Sequence, residues 1–219
     1  MRDGIEKHLK LYYVTDRAAN TDAWLMQTVE QAVKGGVTMV QLREKNTSIN
    51  EIILLGKKLK ALLEPYKVPL IINDNPEVCK MVGADGVHLG QTDMHPDEAR
   101  KLLGEQAIIG LSLENMQQAK LANQLSSIDY VAASPVFITP TKPECTEVWG
   151  LDGLKELTKM SKPPVVGIGG INLSNLAKVI DAGAVGIAVV SCIQSAANKQ
   201  DTAVKLLREI ERYLPIARH

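Results

Sequence analysis

The sequence is poor in the features that mark several large classes of protein. Its 219 residues carry 25 basic and 25 acidic side chains, so the strongly positive surface of a nucleic-acid-binding protein is not expected. One phenylalanine supplies little of the aromatic platform on which bases stack. Because no apolar run approaches the ~18 residues that span a bilayer, a membrane partner is not expected either.

Cysteine is also scarce. Cys79, Cys145 and Cys192 make an odd number without paired spacing, and the N-terminal stretch MRDGIEKHLK has no apolar segment that would form a signal peptide. Both features are typical of a cytoplasmic protein with reduced thiols, so a cytoplasmic location is expected. A zinc site is not expected, because neither a Cys-x-x-Cys nor a His-x-x-x-His pattern occurs.

What the sequence does contain is a regular alternation of short apolar runs with amphipathic helical patterns. The pattern over residues 50–63 is typical, since Ile53, Leu54, Leu59 and Leu62 recur there at helical spacing. Eight apolar runs predict strands: 11–16 (LYYVTD), 39–44 (MVQLRE), 70–74 (LIIND), 86–90 (GVHLG), 108–112 (IIGLS), 129–134 (DYVAAS), 164–169 (PVVGIG) and 186–191 (GIAVVS).

A local repeat joins a helix end, a glycine, a short turn and an apolar strand. It occurs in KGGVTMVQLRE, MVGADGVHLGQ and IDAGAVGIAVVS, and its glycine (Gly35 or Gly36, Gly83, Gly183) suits the left-handed position that ends a helix. Strands and helices alternating at this spacing predict parallel pairing. Eight such units predict an α/β fold, a closed (β/α)8 TIM barrel forming a single domain over residues 1–219, with an open doubly wound sheet as the alternative.

Polar residues gather where these strands end, and no comparable set precedes the strands. The ends carry Thr15-Asp16-Arg17, Arg43-Glu44-Lys45, Asn73-Asp74-Asn75, Gln91-Thr92-Asp93, Ser112 and the segment FITPTK. An aspartate at a strand end is also a common helix cap, and Asp16 or Asp74 alone is open to that interpretation. Because the carboxyl ends of barrel strands form one rim, the set as a whole predicts an active site there.

The last two strands add a signal for a phosphate group. GIGGI at 167–171 and AVVS at 188–191 each end a strand just before a helix, where backbone N–H groups and the helix dipole attract anions. Glycines also make tight turns. The phosphate interpretation is favoured because the loops after the seventh and eighth strands are the usual phosphate site of this fold.

The segment VFITPTKPECTEVWG, residues 136–150, is long for a connection between a strand and a helix. Long ordered loops in compact domains are usually functional, so we expect this one to act as a lid over the active site. A solvated loop without function is the alternative.

Seven of these motifs, taken in order, resemble a known family. QLREK, INDN, DGVHLGQTD, GLS, TPTK, GIGGI and VVS stand at the ends of the second to eighth strands with the spacing of the thiamine-phosphate synthase family. The resemblance spans nearly the whole chain, and DGVHLGQTD with TPTK is its most specific part.

The resemblance implies a transferase with the barrel fold. Such an enzyme joins 4-amino-2-methyl-5-hydroxymethylpyrimidine diphosphate to a thiazole phosphate, giving thiamine monophosphate and pyrophosphate, and requires Mg²⁺. The implied partners are these two small molecules, and the sequence does not decide between a monomer and a homo-oligomer. It also does not decide which form of the thiazole is preferred.

The resemblance also assigns roles to particular residues. Those similar to the pyrimidine diphosphate site are Gln41, Arg43, Lys45, Asn73 and Ser112, the last as a contact to the pyrimidine. Those similar to the thiazole phosphate site are Thr139, Thr141, Gly170, Val190 and Ser191. Asp74 and Asp93 resemble the Mg²⁺ ligands, and Lys142 resembles a pyrophosphate ligand.

Two positions depart from the pattern of many family members. Asn75 follows IND where an arginine is common, and Ser134 stands where a glycine is common in the sixth strand. The first change removes a peripheral charge, and the second places a side chain near the hinge of the long loop. Neither replaces a residue with an implied role.

The residues suit this chemistry on independent grounds. A thiazole nitrogen attacks through its lone pair and needs no general base, which agrees with the lack of a convincing nucleophile–base pair. His88 lies within a strand and is interpreted as a core residue, while His95 is expected at a helix start on the surface. Departure of pyrophosphate, for which a dissociative path is expected, is the hard step. Charge that develops there would be stabilised by the catalytic set Arg43, Lys45, Lys142 and Ser112 together with Mg²⁺.

Two other functions compete with this one. A thiazole tautomerase shares the barrel but has no use for two Mg²⁺ carboxylates and the lysine of TPTK, and no histidine directly follows Ser112 here. A phosphate-binding protein without catalytic activity would bind each substrate without turnover.

The stretch MVQLREK, residues 39–45, yields a geometric prediction. Side chains alternate along a strand, so Met39, Gln41, Arg43 and Lys45 should share one direction. If that direction is the barrel interior, the two cations lie in the same cavity as the predicted Mg²⁺ carboxylates.

Overall fold

The chain folds as eight short parallel strands surrounded by helices. The structure, a computed structural model, describes residues 4–17, 20–45, 47–139 and 148–214. All eight predicted strands are confirmed, with ends that shift by one or two residues. They are β1 (Leu11–Val14), β2 (Met39–Leu42), β3 (Leu70–Asn73), β4 (Gly86–Leu89), β5 (Ile108–Leu113), β6 (Tyr130–Ala133), β7 (Val165–Ile168) and β8 (Gly186–Val189).

Helices follow the strands and cover the outside of the barrel. They are α1 (Glu6–Leu9), α2 (Asp22–Lys34), α3 (Ile49–Leu63), α4 (Pro76–Val82), α5 (Pro96–Leu103), α6 (Met116–Ala122), α7 (Gly150–Met160), α8 (Leu176–Asp181), α9 (Ser191–Gln194) and α10 (Lys199–Tyr213). Within the described ranges, none of these helices has both the length and the apolar character to cross a membrane.

The sheet closes on itself. β1 pairs in parallel with β2 on one side, where Tyr13 lies opposite Val40, and with β8 on the other, where Tyr13 lies opposite Val189. The strand order runs unbroken from β1 to β8. An open doubly wound sheet would have two unpaired edges, so that alternative is wrong and the (β/α)8 barrel is confirmed.

Alternation along the strands builds two layers of core. Inward-pointing side chains, such as Met39 and Ile71, form a small cluster inside the barrel. Their neighbours Val40, Leu42 and Ile72 belong to the larger cluster beneath the helices. Every second residue of a strand therefore reaches the barrel axis, where the polar residues at the strand ends surround the cavity.

Local residues set the helix ends that precede and follow the strands. Ser48 and Glu51 form a capping box at the start of α3, each side chain bonding the backbone of the other. Gly36, Gly83 and Gly183 have φ of 101°, 71° and 99°, which confirms the left-handed turns predicted from the repeat.

The apolar face of α3 differs in part from the predicted one. Leu59 is fully buried, but Leu54 is 62% exposed. The row that packs on the barrel is Leu55, Leu59 and Leu63, whose spacing of four places them on one side of the helix. Leu54 lies about 100° around the helix from Leu55 and so faces outward.

Candidate functional site

A cavity opens at the carboxyl ends of the strands and extends down into the barrel. The space between its walls, including part that is open to solvent, is about 770 Å³. Eight of the residues predicted for the site line it: Gln41, Arg43, Asn73, Ser112, Thr139, Gly170, Val190 and Ser191. These eight residues come from six different strands or the loops that follow them.

The strand β2 directs its polar residues inward. Gln41 is buried and its Nε2 donates to the hydroxyl of Tyr12, 2.5 Å away on the neighbouring strand β1. Arg43 lines the cavity one step higher, and its backbone N–H donates to Thr15 Oγ1 at 3.0 Å. This bond fixes the backbone of Arg43 where the strand pairing ends.

Two carboxylates, Asp74 and Asp93, lie within hydrogen-bonding distance of each other, near Arg43 and Lys45. Burial and the neighbouring Asp93 carboxylate raise the pKa of Asp74, while Lys45 and Arg43 oppose the rise. Both cations are therefore close enough to act on Asp74. Of these two cations and two carboxylates, which were predicted to share one cavity, only Arg43 is among the residues that line it. Asp93 is also held by its own turn, since Oδ2 accepts from the N–H of Gly90 at 2.6 Å.

Asp74 is not a helix cap. The side chain of Asn75 caps α4 by accepting from the N–H of Val78 at 3.0 Å, and Thr21 caps α2. The capping interpretation of Asp74 and Asp16 is therefore wrong. Asn75, where many relatives have arginine, has a structural role here.

The backbone of the loop that follows β7 bends sharply beside the cavity. Gly169 and Gly170 have φ of 100° and 65°, a region that side chains rarely adopt. A Cβ on Gly169 would lie 2.5 Å from Pro135 Cβ, and one on Gly170 2.8 Å from Ile138 O. The two glycines therefore allow the loops after β6 and β7 to pack together next to Ser191, the first residue of α9.

His88 is a residue of the site to which the sequence interpretation gave no role there, although its interpretation as a core residue is confirmed by its burial. It is buried, as a core residue would be, but it lines the cavity, and its Nε2 lies 2.9 Å from Ser112 Oγ. Tyr12 also lines the cavity. The alternation of side chains along β1 and β4 could have indicated that His88 and Tyr12 point inward. Val87 and Leu89, the neighbours of His88, pack outward under the helices, so His88 points into the barrel.

Other predicted residues lie elsewhere. Arg17 forms ion pairs with Asp22 and Glu44 outside the cavity lining. His95 is exposed and its Nδ1 accepts from the N–H of Asp97, so its prediction as a surface residue at a helix start is confirmed.

Part of the predicted site falls outside the described residues. Thr141 and Lys142 belong to residues 140–147, as do Cys145 and most of the loop predicted to act as a lid. Of the other cysteines, Cys79 and Cys192 are free, and burial raises the pKa of each thiol. A raised pKa leaves little thiolate, so neither cysteine is suited to act as a nucleophile.

Comparison with known proteins agrees with the geometry. The family model for thiamine monophosphate synthase matches residues 11–193. Thiamine-phosphate synthase of Leptospira biflexa is 48% identical over 199 residues, covering 90% of this chain and 95% of the relative. That of Chlamydia abortus is 43% identical over 205 residues, with 94% and 96% covered.

A solved structure gives the same result in three dimensions. The thiamine phosphate pyrophosphorylase from Pyrococcus furiosus superposes with a TM-score of 0.88 at 34% identity, covering 97% of this chain and 100% of that one. Identity at this level, over nearly the full length of both chains, shows more than a shared barrel. The chain belongs to the thiamine monophosphate synthase family.

Proposed function

We propose that the protein joins 4-amino-2-methyl-5-hydroxymethylpyrimidine diphosphate to a thiazole phosphate, forming thiamine monophosphate and releasing pyrophosphate. The observation that carries the proposal is the arrangement of charge around the cavity. Arg43 lines one part of the cavity, with Lys45 and the two carboxylates near it, and the glycine turn beside Ser191 lines another part. Two phosphorylated substrates that must meet in one pocket require two such anion sites.

The diphosphate lies on the side of Arg43 and Lys45. Arg43 offers a planar fork of donors that matches phosphate oxygens, and Lys45 adds a mobile point charge at the exposed rim. As the C–O bond to the leaving group breaks, negative charge grows on pyrophosphate. Cations already in place stabilise that charge in the transition state. Lys142 is proposed as a third cation, from the loop after β6.

The Asp74–Asp93 pair fits the Mg²⁺ that the family resemblance implies. Two partly buried carboxylates in contact repel each other, as the raised pKa of Asp74 indicates, and a divalent cation between them would remove the repulsion. No cluster of three or more acidic, histidine or cysteine side chains suited to a metal occurs in the described part of the chain. Two protein carboxylates completed by substrate phosphates are a usual Mg²⁺ site, and bound Mg²⁺ would neutralise charge on the diphosphate.

The pyrimidine lies deeper, among the polar side chains of the barrel interior. Gln41, Asn73 and Ser112 line that part of the cavity and offer both donors and acceptors to an aminopyrimidine. The apolar side chains of Val14 and Ile168 line the cavity as well. They keep water from the electron-poor methylene that forms when pyrophosphate departs.

The thiazole phosphate lies on the loops after β7 and β8. Gly170, Val190 and Ser191 supply closely approaching backbone there, with Thr139 on the adjacent loop and Thr141 proposed beside it. The thiazole nitrogen then faces the methylene carbon and attacks through its lone pair. No side chain has to remove a proton, which agrees with the lack of an activated cysteine nucleophile among the described residues.

The test is direct turnover. The protein is mixed with both substrates and Mg²⁺, and thiamine monophosphate is followed by chromatography. Replacing Arg43 by Gln should lower kcat by about 10²–10³-fold, because a donor aimed at developing charge is worth that much. Arg208→Gln, an exposed arginine on α10, is the matched control and should leave the rate unchanged.

The metal assignment is tested separately with Asp93→Asn. Asparagine keeps an oxygen that can accept from the N–H of Gly90, so the fold should survive while Mg²⁺ affinity falls. Titration of Mg²⁺ against activity should require much higher metal concentrations. Folded wild-type protein that binds both substrates but forms no product would instead establish a binding protein.

A further inference from the structure

Five polar side chains form one continuous chain of hydrogen bonds inside the barrel. Gln41 Nε2 lies 2.5 Å from the hydroxyl of Tyr12, which lies 3.0 Å from the hydroxyl of Tyr130. That hydroxyl lies 2.9 Å from His88 Nδ1, and His88 Nε2 lies 2.9 Å from Ser112 Oγ. The chain thus joins β2, β1, β6, β4 and β5 across the barrel axis.

The donor at one end of this chain sets the direction of the other bonds, provided that each phenol gives its proton to the next group in the chain. A side-chain amide nitrogen can only donate, so the Gln41 Nε2 bond makes Tyr12 its acceptor. Tyr12 then gives its own proton to Tyr130, and Tyr130 gives its proton to His88 Nδ1. The neutral imidazole carries its proton on Nε2 and donates it to Ser112 Oγ, which leaves the Ser112 proton outside this chain of bonds.

Both phenols have a proton to give. Burial raises the pKa of Tyr12 and, by a wider margin, of Tyr130, so each stays protonated at neutral pH. Each hydroxyl in the chain therefore accepts one hydrogen bond and donates one.

The barrel is shaped to permit the contact between Tyr130 and His88. Gly110 lies on β5 between them, and a Cβ there would be 2.2 Å from Tyr130 Cζ and 2.5 Å from His88 Nδ1. Distances under 3 Å are not tolerated, so any larger residue would displace one ring or the other. The two rings lie 5.5 Å apart between centroids.

We propose that Tyr130 is a positioning residue, which acts through the tautomer of His88 to turn the Ser112 hydroxyl into a donor toward the substrate. Ser112 and His88 line the cavity, whereas Tyr130 is fully buried beneath them and acts only through them. The proposal rests on the proposed function in one respect. It takes the acceptor to be an atom of the aminopyrimidine.

The tautomer can be measured without any substrate. Protein labelled with ¹⁵N at its four histidines gives long-range ¹H–¹⁵N spectra in which the two neutral tautomers differ, with His88→Gln used to assign the signal. The wild type should show His88 protonated on Nε2. In Tyr130→Phe, which removes only the hydroxyl, the signal should move toward a mixture of both tautomers.

The kinetic consequence falls on the pyrimidine substrate. Tyr130→Phe should raise its KM about 5- to 10-fold, the worth of one hydrogen bond, and change kcat less. In a Ser112→Ala background the same change should have no further effect, because the donor on which Tyr130 acts is gone. Tyr13→Phe is the matched control, since Tyr13 packs outward and its hydroxyl bonds to nothing in the described part of the chain.

The outcomes separate the inference from the proposed function. A wild-type His88 protonated on Nδ1 would overturn the inference, as would effects of Tyr130→Phe and Ser112→Ala that multiply independently. Failure of the wild type to form product would overturn the proposed function, while the spectrum would still decide the tautomer. If Tyr130→Phe does not fold, the wild-type spectrum alone gives that decision.

Discussion

Asp74 has a carboxylate whose ionised form is disfavoured by burial and by Asp93, and it also has an unusual backbone conformation. Its φ of 67° lies in the left-handed region, which only a few non-glycine residues occupy, and its N–H donates to His88 O at 2.8 Å. Aspartate and asparagine tolerate this region better than other side chains do. The backbone bond to β4 thus holds Asp74 in a conformation that directs its carboxylate at Asp93.

Asp74→Asn should make the free protein more stable at neutral pH and nearly inactive. Because the folded-state pKa of Asp74 is raised, its ionisation lowers stability as the pH rises through that pKa. The variant should therefore gain stability over the wild type at pH 7, and the gain should disappear as the pH falls to values where Asp74 is protonated in both states. Urea unfolding of both proteins across this range, without Mg²⁺, measures the difference.

Asp74→Ala is the companion to this experiment. It removes the same charge, but alanine tolerates the left-handed backbone region less well than aspartate or asparagine does. This difference should lower the free energy of unfolding by about 1–2 kcal/mol. Alanine should thus be less stable than asparagine at every pH. Identical pH dependence for wild type and Asp74→Asn would show that the carboxylate is not under electrostatic strain.

Single residues were predictable from the sequence only in part. Asp74 and Asp93 carry charge at strand ends, but an aspartate there is also a common helix cap, and their assignment as Mg²⁺ ligands came from the family resemblance. His88 did not stand out, because a histidine in an apolar strand is more often a core residue, and the sequence does not show which neighbours its two nitrogens contact. Those neighbours, Tyr130 and Ser112, come from strands that are distant in the sequence.

Between elements, the loops after β1 and β2 are joined by Arg17. Its guanidinium bonds Asp22 at the start of α2, lies 3.2 Å from Glu44 Oε2, and donates to Thr47 Oγ1 at 3.1 Å. Glu44 stands between Arg43 and Lys45 in the sequence and points the other way. Anchoring it outside the barrel keeps its two cationic neighbours directed toward the Asp74 side of the mouth.

Arg17→Met and Glu44→Gln should differ in their effect on stability. Burial raises the pKa of Glu44 even with Arg17 beside it, and Glu44 Oε1 has no hydrogen-bond partner among the described residues. Removing Arg17 leaves a buried carboxylate uncompensated, which should cost about 3 kcal/mol at pH 7 and less as acid protonates Glu44. Glu44→Gln removes the buried negative charge itself, so no uncompensated carboxylate remains. This change should lower the free energy of unfolding by under about 1 kcal/mol.

Lys10→Met controls for the loss of an ion pair as such. Lys10 and Glu211 pair at 3.0 Å on the surface, and such pairs are worth about 0–1 kcal/mol. Guanidinium unfolding at pH 7 and pH 5 ranks the three variants. Equal losses for Arg17→Met and Glu44→Gln would mean that the pair acts only through its mutual attraction.

At the level of elements, the sequence was informative about strands and less so about helix faces. The period of two in the strands separates inside from outside, so the directions of Val40 and Leu42 followed from the pattern. In α3 apolar residues occur on more than one side, and the pattern did not distinguish the exposed Leu54 from the buried Leu55. The choice depends on how the helix lies against α4 and the barrel, which is a tertiary property.

Across the whole molecule, ionic groups are also found at the amino ends of the strands, where none were expected. Asp85 and Asp129 immediately precede β4 and β6. Asp85 bonds Lys60 and the N–H of Leu70, and Asp129 bonds Arg100 and the N–H of Ile109. Each aspartate thus ties a strand to its neighbour and to a helix. Their partners lie far along the chain, so no local pattern of residues indicated this role.

The two ends of the barrel should therefore respond differently to loss of an arginine. Arg100 is largely buried and donates to Ala107 O and Ser127 O as well as to Asp129 Oδ2 at 2.8 Å. Arg100→Met leaves Asp129 without its counter-charge, which should cost about 3 kcal/mol and lower Tm by roughly 6–12 °C. Since none of the described residues predicted for the site lies at that end, kcat and KM should stay unchanged below the new Tm. Arg43→Gln should show the reverse, with an unchanged Tm and little activity, and calorimetry with initial rates on both variants tests the contrast. A loss of activity in Arg100→Met at temperatures where it is fully folded would show that the amino end of the barrel takes part in catalysis.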